Sequence, residues 1–308
     1  MSNDKITPER SIMGKVNKKH KDRVFKFIFG KNKQWALSLY NAVNGSNYTD
    51  PDAIEFNTID EIIYIGMQND VSFLLFSVLS IWEHQSTFNP NVPVRMFLYA
   101  AQLYDKYMTE HDCYRYSRNL IKLPSPKCMC FYNGTDGQPE EMILRLSDAF
   151  RHDDEEVVDS DIEVMVRMLN INYGNNKALM EACKPLMEYS WLIENIRQTN
   201  KKLKNIEKAV DKTLGEMPDD FVIKKFLLIN KAEVKGMFLT EYDEKKILAQ
   251  ERQEGRLEGR SEGIHEANER VATDMLKKNL PLSLIEEISK LSEDVIRGIA
   301  GNLGLAVM

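Results

Sequence analysis

The chain has 308 residues, 43% of them hydrophobic and 29% charged, so it can bury a sizeable core and has the balance of an ordinary globular protein. A net charge of −6 argues against a protein that coats nucleic acid unselectively, although the charge is unevenly placed. No run approaches roughly eighteen apolar residues, so no membrane span is expected. Cys113, Cys128, Cys130 and Cys183 form no CxxC pair, and they read as buried or inert thiols of a reducing cytoplasm.

Residues 1–20 are polar and basic without an apolar stretch, and they read as an arm rather than a secretory leader. Lys15, Lys18, Lys19, Lys21, Arg23, Lys26, Lys31 and Lys33 make a strongly basic run. That run is either a solvated arm and helix face or a phosphate-contacting edge. Residues 21–44 are predicted helical from the spacing of Val24, Phe25, Ile28, Phe29, Trp35, Leu37 and Leu39, with an interruption near Gly30 and an end at Asn44-Gly45. Asp50-Pro51-Asp52 reads as a turn, and residues 60–66 read as a strand.

Two β-prone runs follow, residues 68–76 and 81–86, joined through Ser77-Val78-Leu79-Ser80; a hairpin is the simplest reading. Side chains alternate faces along a strand, so Glu83 and Gln85 share a face and His84 turns away. Antiparallel pairing lays Asp70 beside them. Two carboxylates and an amide at the open end of a sheet form a hard, oxygen-rich site suited to Mg²⁺.

Pro90 and Pro93 bracket a loop before a predicted helix over 94–111, which carries Arg95, Tyr99 and Gln102 on one stripe. That stripe is either a phosphate-contacting face or a polar face turned to the sheet edge. Residues 128–132 read as a buried strand ended by Asn133-Gly134, with Asn133 a turn residue, and 163–171 as a further strand ending at Gly174. From 175 onward the pattern is helical with long charged surfaces.

The tail repeats with a period of four: Arg252-Gln253-Glu254-Gly255, Arg256-Leu257-Glu258-Gly259, Arg260-Ser261-Glu262-Gly263. This spacing sets Gly255, Gly259, Gly263 and Ala267 along one helix face. The segment is either a linker or a helix whose small-residue face packs on a partner; Arg and Glu stripes that cannot pair well within one helix are then expected to pair across an antiparallel dimer. Two short helices with Ser292 as an N-cap close the chain over 273–300. They resemble the start of a helix-turn-helix but are too short and too poor in base-reading residues to claim DNA recognition, and they read as a small interaction module.

Several phrases together resemble one family. They are Asp22-Arg23-Val24-Phe25-Lys26-Phe27-Ile28-Phe29-Gly30, Tyr40-Asn41-Ala42-Val43-Asn44-Gly45, Asn69-Asp70-Val71-Ser72-Phe73, Glu83-His84-Gln85-Ser86 and Phe131-Tyr132-Asn133-Gly134. The ordered set, spread over roughly residues 15–250, is similar to the Rpn-like group of bacterial recombination-promoting, transposase-like nucleases in the PD-(D/E)xK superfamily. The resemblance implies a restriction-endonuclease-like α/β core, a mixed sheet flanked by helices, with an α-helical C-terminal extension. It implies a metal-dependent DNA endonuclease in which Asp70, Glu83 and the backbone carbonyl of His84 hold Mg²⁺, with Mn²⁺ as a substitute. Gln85 stands where most of the superfamily carries Lys, and Asp22 and Arg95 are further site candidates.

The expected organisation is an arm over 1–20, the nuclease core over 21–175, a helical region over 176–250 packed on that core, the repeat over 251–270 and a small helical module over 271–308. Expected partners are DNA, no membrane, and a second copy through the C-terminal region. The alternative reading is a catalytically weak descendant that binds DNA or protein; the missing Lys and the acidic net charge favour it.

Overall fold

The structure, a computed structural model, describes residues 24–57, 70–151 and 160–305. Asp22, the whole arm over 1–20 and the strand expected over 60–66 lie outside the described residues. The described chain falls into two compact units that divide between Glu241 and Tyr242.

The first helical stretch is two helices, α1 (Val24–Phe29) and α2 (Lys33–Asn44). The break falls at Gly30, a position that has no room for a side chain, since a Cβ would lie 2.7 Å from the Lys26 carbonyl oxygen. Asn32 then caps α2 by accepting from the Trp35 N–H at 3.0 Å. Gly45, at φ 63°, closes α2 in the left-handed conformation that glycine adopts without a Cβ penalty.

The strands are β1 (Ile54–Phe56), β2 (Val71–Leu75), β3 (Val78–Gln85), β4 (Ser125–Tyr132), β5 (Glu141–Arg145) and β6 (Met165–Asn170). They form one mixed sheet in the order β1-β2-β3-β4-β6-β5. β3, β4 and β6 are parallel, while β1/β2, β2/β3 and β5/β6 pair antiparallel. The hairpin is tighter than the sequence suggests. Val78, Leu79 and Ser80 belong to β3, and only Phe76 and Ser77 connect it to β2, with Phe76 at φ 54°. Burial on both faces explains why these apolar residues read poorly as a strand start.

Helix α3 (Val92–Glu110) covers one face of the sheet, burying Val92, Met96, Tyr99 and Leu103 against Leu79, Ile81, Cys130 and Met168. Pro93 is inside its first turn rather than in a loop, because a helix leaves its first N–H groups unpaired and proline lacks one. The opposite face meets α1, α2, α4 (Lys177–Ala182), α5 (Lys184–Leu203), α6 (Ile206–Glu216) and α7 (Lys224–Ile229) in one core that includes Phe25, Phe73, Trp82, Phe131, Leu186, Val210 and Leu227. Val234, Met237 and Phe238, at the start of α8 (Lys231–Lys277), join the same core. The first unit is thus a mixed α/β layer structure with helices on both faces.

In the second unit, Ala272, Met275 and Leu276 of α8 pack with α9 (Leu282–Ser289) and α10 (Glu293–Leu303) through Ile285, Leu291, Ile296 and Ala300. Ser292 occupies the N-cap position of α10, but its side chain makes no cap hydrogen bond. Among the described residues, no helix is long and apolar enough to cross a membrane.

Candidate active site

The site follows from strand register. Val71 pairs with Trp82, so Asp70, one residue before β2, stands opposite Glu83. Leu79, Ile81 and Glu83 alternate onto the α3 face of β3, and Gln85 is next in that row. The parallel register sets Gln85, Tyr132 and Asn170 side by side at the carboxyl ends of β3, β4 and β6. The carboxyl ends of parallel strands are where open α/β sheets place ligands.

Each candidate side chain among the described residues has a definite partner. Asp70 Oδ2 accepts from the His84 N–H at 2.6 Å. Glu83 Oε1 accepts from Arg95 Nε at 3.0 Å and Nη2 at 2.5 Å. The pair is largely withdrawn from water, with side-chain exposures of 11% for Glu83 and 21% for Arg95. Burial works to lower the Arg95 pKa, but the hydrogen bond and charge of Glu83 outweigh it and the net direction is up. Tyr99, one turn along α3, hydrogen-bonds Arg95, and its hydroxyl is pushed well above its ordinary range by burial and then by the charges of Glu83 and Asp70. The stripe of Arg95 and Tyr99 therefore faces the carboxylates. Gln85 is buried, and its Oε1 accepts from the Asn89 N–H at 3.3 Å.

His84 turns to the other face, as alternation requires. It stacks on Phe25 with ring centroids 5.1 Å apart, and its Nε2 lies 3.0 Å from the Tyr189 hydroxyl. Its main chain matters to the site. The His84 N–H reaches Asp70 on the β2 side, while the Gln85 carbonyl accepts from the Asn133 N–H on the β4 side at 2.9 Å. Since N–H and C=O of one strand residue point the same way, the His84 carbonyl faces the Asp70 side.

The donor set, two carboxylates and a main-chain carbonyl, suits Mg²⁺, which uses few protein ligands and keeps water and substrate phosphates in its remaining positions. No group of three His, Cys, Asp or Glu side chains that could hold a metal exists among the described residues. A metal held by this set would take its remaining ligands from water and substrate rather than from a closed protein cage.

Asn133 is more than a turn residue. It is 2% exposed; its Nδ2 donates to the Tyr189 hydroxyl at 3.3 Å, and its carbonyl oxygen accepts from Arg197 Nη2. Arg197 Nη1 also donates to Asn172 Oδ1 at 3.0 Å. His84, Tyr189, Asn133, Arg197 and Asn172 thereby tie α5 to the strand ends that carry the carboxylates. Gly134 is part of this packing, because a Cβ there would collide with the Tyr132 ring and hydroxyl. Sequence reading missed Tyr189 and Arg197, which stand 56 and 64 residues from Asn133. Nothing local signals that pairing.

No family model, no curated protein and no solved structure matches this chain.

Proposed function

We propose that the first unit is a metal-dependent DNA endonuclease of the PD-(D/E)xK type, with Asp70, Glu83 and the His84 carbonyl as its metal ligands and Mg²⁺ or Mn²⁺ as the ion. The observation that carries this reading is the register that puts Asp70 opposite Glu83 on one sheet face, with the His84 carbonyl turned to the same side. Bound there, a divalent ion would supply Lewis-acid polarisation of a phosphodiester and a coordinated water that gives up a proton readily enough to attack as hydroxide. Gln85 would orient that water or a phosphate oxygen through its amide nitrogen, with its oxygen accepting from the Asn89 N–H. The proposal includes a role in recombination or mobile elements, a cytoplasmic location, and a homodimer through the C-terminal region.

The second reading, a catalytically weak descendant that binds DNA or protein, draws on one observation: Arg95 already neutralises Glu83, and residue 85 carries no charge. Nicking of supercoiled plasmid separates the two. With Mg²⁺ or Mn²⁺ the wild type is expected to nick, with EDTA or Ca²⁺ it is not, and Asp70→Asn and Glu83→Gln are expected to abolish nicking while circular dichroism stays unchanged. Full activity in either variant sinks the site assignment. DNA retention without cleavage in any metal supports the second reading.

A further inference from the structure

We infer that Arg95 is a resident counter-cation on Glu83 that a divalent ion displaces, and that the displaced guanidinium then binds the phosphate of the DNA substrate. This inference rests on the carboxylate-site reading above.

Burial sets the requirement. A carboxylate as enclosed as Glu83 cannot remain ionised without a partner, and leaving one of a buried pair alone is strongly unfavourable. Before metal arrives, Arg95 is that partner. Its grip is not the two-oxygen fork that Arg makes with a carboxylate when the pair is an end in itself. Both Nε and Nη2 converge on the single oxygen Oε1. This is how a cation sits on one ligand atom, and it is the role a metal ion takes there. A dication and a guanidinium held on one buried carboxylate repel each other at close range, so binding one weakens the other.

The released group has a use. Phosphoryl chemistry needs positive charge near the phosphate as well as at the metal. Gln85 cannot provide it, and the guanidinium, planar and always charged, matches phosphate oxygens. Arg95 lies in the early part of α3, beside the strand ends and one turn before Tyr99, whose hydrogen bond to Arg95 limits where the freed side chain can go.

The test titrates Mn²⁺ alone into the full-length protein and counts free ion by its electron paramagnetic resonance signal. The proteins compared are wild type, Arg95→Ala, Arg95→Lys and Glu83→Gln. Removing the competitor is expected to tighten Mn²⁺ binding about tenfold in Arg95→Ala, within the range of coupling between linked sites. Plasmid nicking at saturating Mn²⁺ is expected to fall by roughly 10²–10³-fold in the same variant, the scale of losing one charge-stabilising donor. If Arg95→Ala fails to fold, Arg95→Lys carries the test: its compact ammonium should compete less well, binding Mn²⁺ more tightly than wild type and cleaving more slowly. Equal Mn²⁺ affinity in wild type and both Arg95 variants, with binding lost in Glu83→Gln, overturns the displacement and leaves the metal site standing. No Mn²⁺ binding by any of the four proteins overturns both.

Discussion

Gln85 is held by its acceptor end. The Asn89 N–H engages its oxygen, which leaves both amide N–H groups to donate to a ligand on the proposed reading. That separates two roles which a Lys at this position would combine, orienting an oxygen and supplying charge. On the proposed reading Gln85 would provide the first, and Arg95, from a different element, the second. If donation by Gln85 matters, Gln85→Ala should slow nicking by roughly 10²–10⁴-fold, the range of a positioned group in proton-transfer catalysis. DNA retention in Ca²⁺, measured by gel shift, should be unchanged. Unaltered turnover makes Gln85 a bystander. His84 shows the same economy at residue scale. Its ring is committed to Phe25 and Tyr189 on the far face, which fixes its main chain, and the main chain is what the carboxylate face uses.

At the scale of elements, Glu188 joins α5 to the start of α7. It is fully buried, and its two oxygens accept from the N–H groups of Val222 and Ile223 at 2.9 and 3.0 Å. Burial raises its pKa, and the two N–H donors oppose that rise without cancelling it. A carboxyl whose pKa is higher in the folded chain contributes stability that is full below its ordinary value and is lost as pH rises through the folded value. The wild type should therefore lose urea resistance across the window just above the ordinary carboxyl range, relative to Glu188→Gln, which cannot ionise. Parallel pH profiles for the two proteins would remove Glu188 as the source. Below that window Glu188→Ala should cost about 1–3 kcal/mol, because it leaves the N–H groups of Val222 and Ile223 without their acceptor.

Elements also show what the sequence discloses and what it hides. The β2–β3 hairpin and its shared Glu83/Gln85 face are legible because a strand's period of two is written directly in residue order. The halt at Gly30 and the cap at Gly45 are legible because glycine marks backbone that other residues resist. β1, with three residues, is too short to show any period, and β5 is a five-residue edge strand that begins at Glu141 and ends at Arg145, whose charges mask it. The end of the hairpin turn is misplaced by a reading of periodicity because strands buried on both faces lose their alternation. The Asn133 hub is invisible in the sequence because its partners come from a helix far along the chain.

At the scale of the whole molecule, α8 poses a question that one chain does not answer. Its described side chains from Gln250 to Ala267 are exposed, and Gly255, Gly259 and Gly263 would each meet nothing within 4 Å if given a Cβ. Each costs a helix about 1 kcal/mol relative to Ala, so a single chain would be better served by alanine. The proposed dimer offers a reason, with one correction to the pairing expected from the sequence. At about 100° per residue, the Arg252/Arg256/Arg260 stripe lies roughly 60° to one side of the Gly stripe and the Glu254/Glu262 stripe roughly 100° to the other. Two-fold packing of antiparallel helices through the Gly face would set Arg against Arg and Glu against Glu. Parallel packing sets Arg against Glu on both sides, so the charges favour the parallel arrangement. Replacing Gly255, Gly259 and Gly263 together by Ala should then raise the thermal stability of the monomer and weaken its association, as read by sedimentation equilibrium. Such a dimer carries two carboxylate sites, so the same variant should still nick plasmid but make fewer double-strand breaks. Leu257, Ile264 and Val271, exposed and seven residues apart, offer a competing seam on nearly the opposite side of α8. If Leu257→Ser with Ile264→Ser disperses the dimer while the triple alanine variant keeps it, that seam is the interface. If the wild type sediments as a monomer at micromolar concentration, the dimer is excluded and the glycine repeat has no partner to account for it.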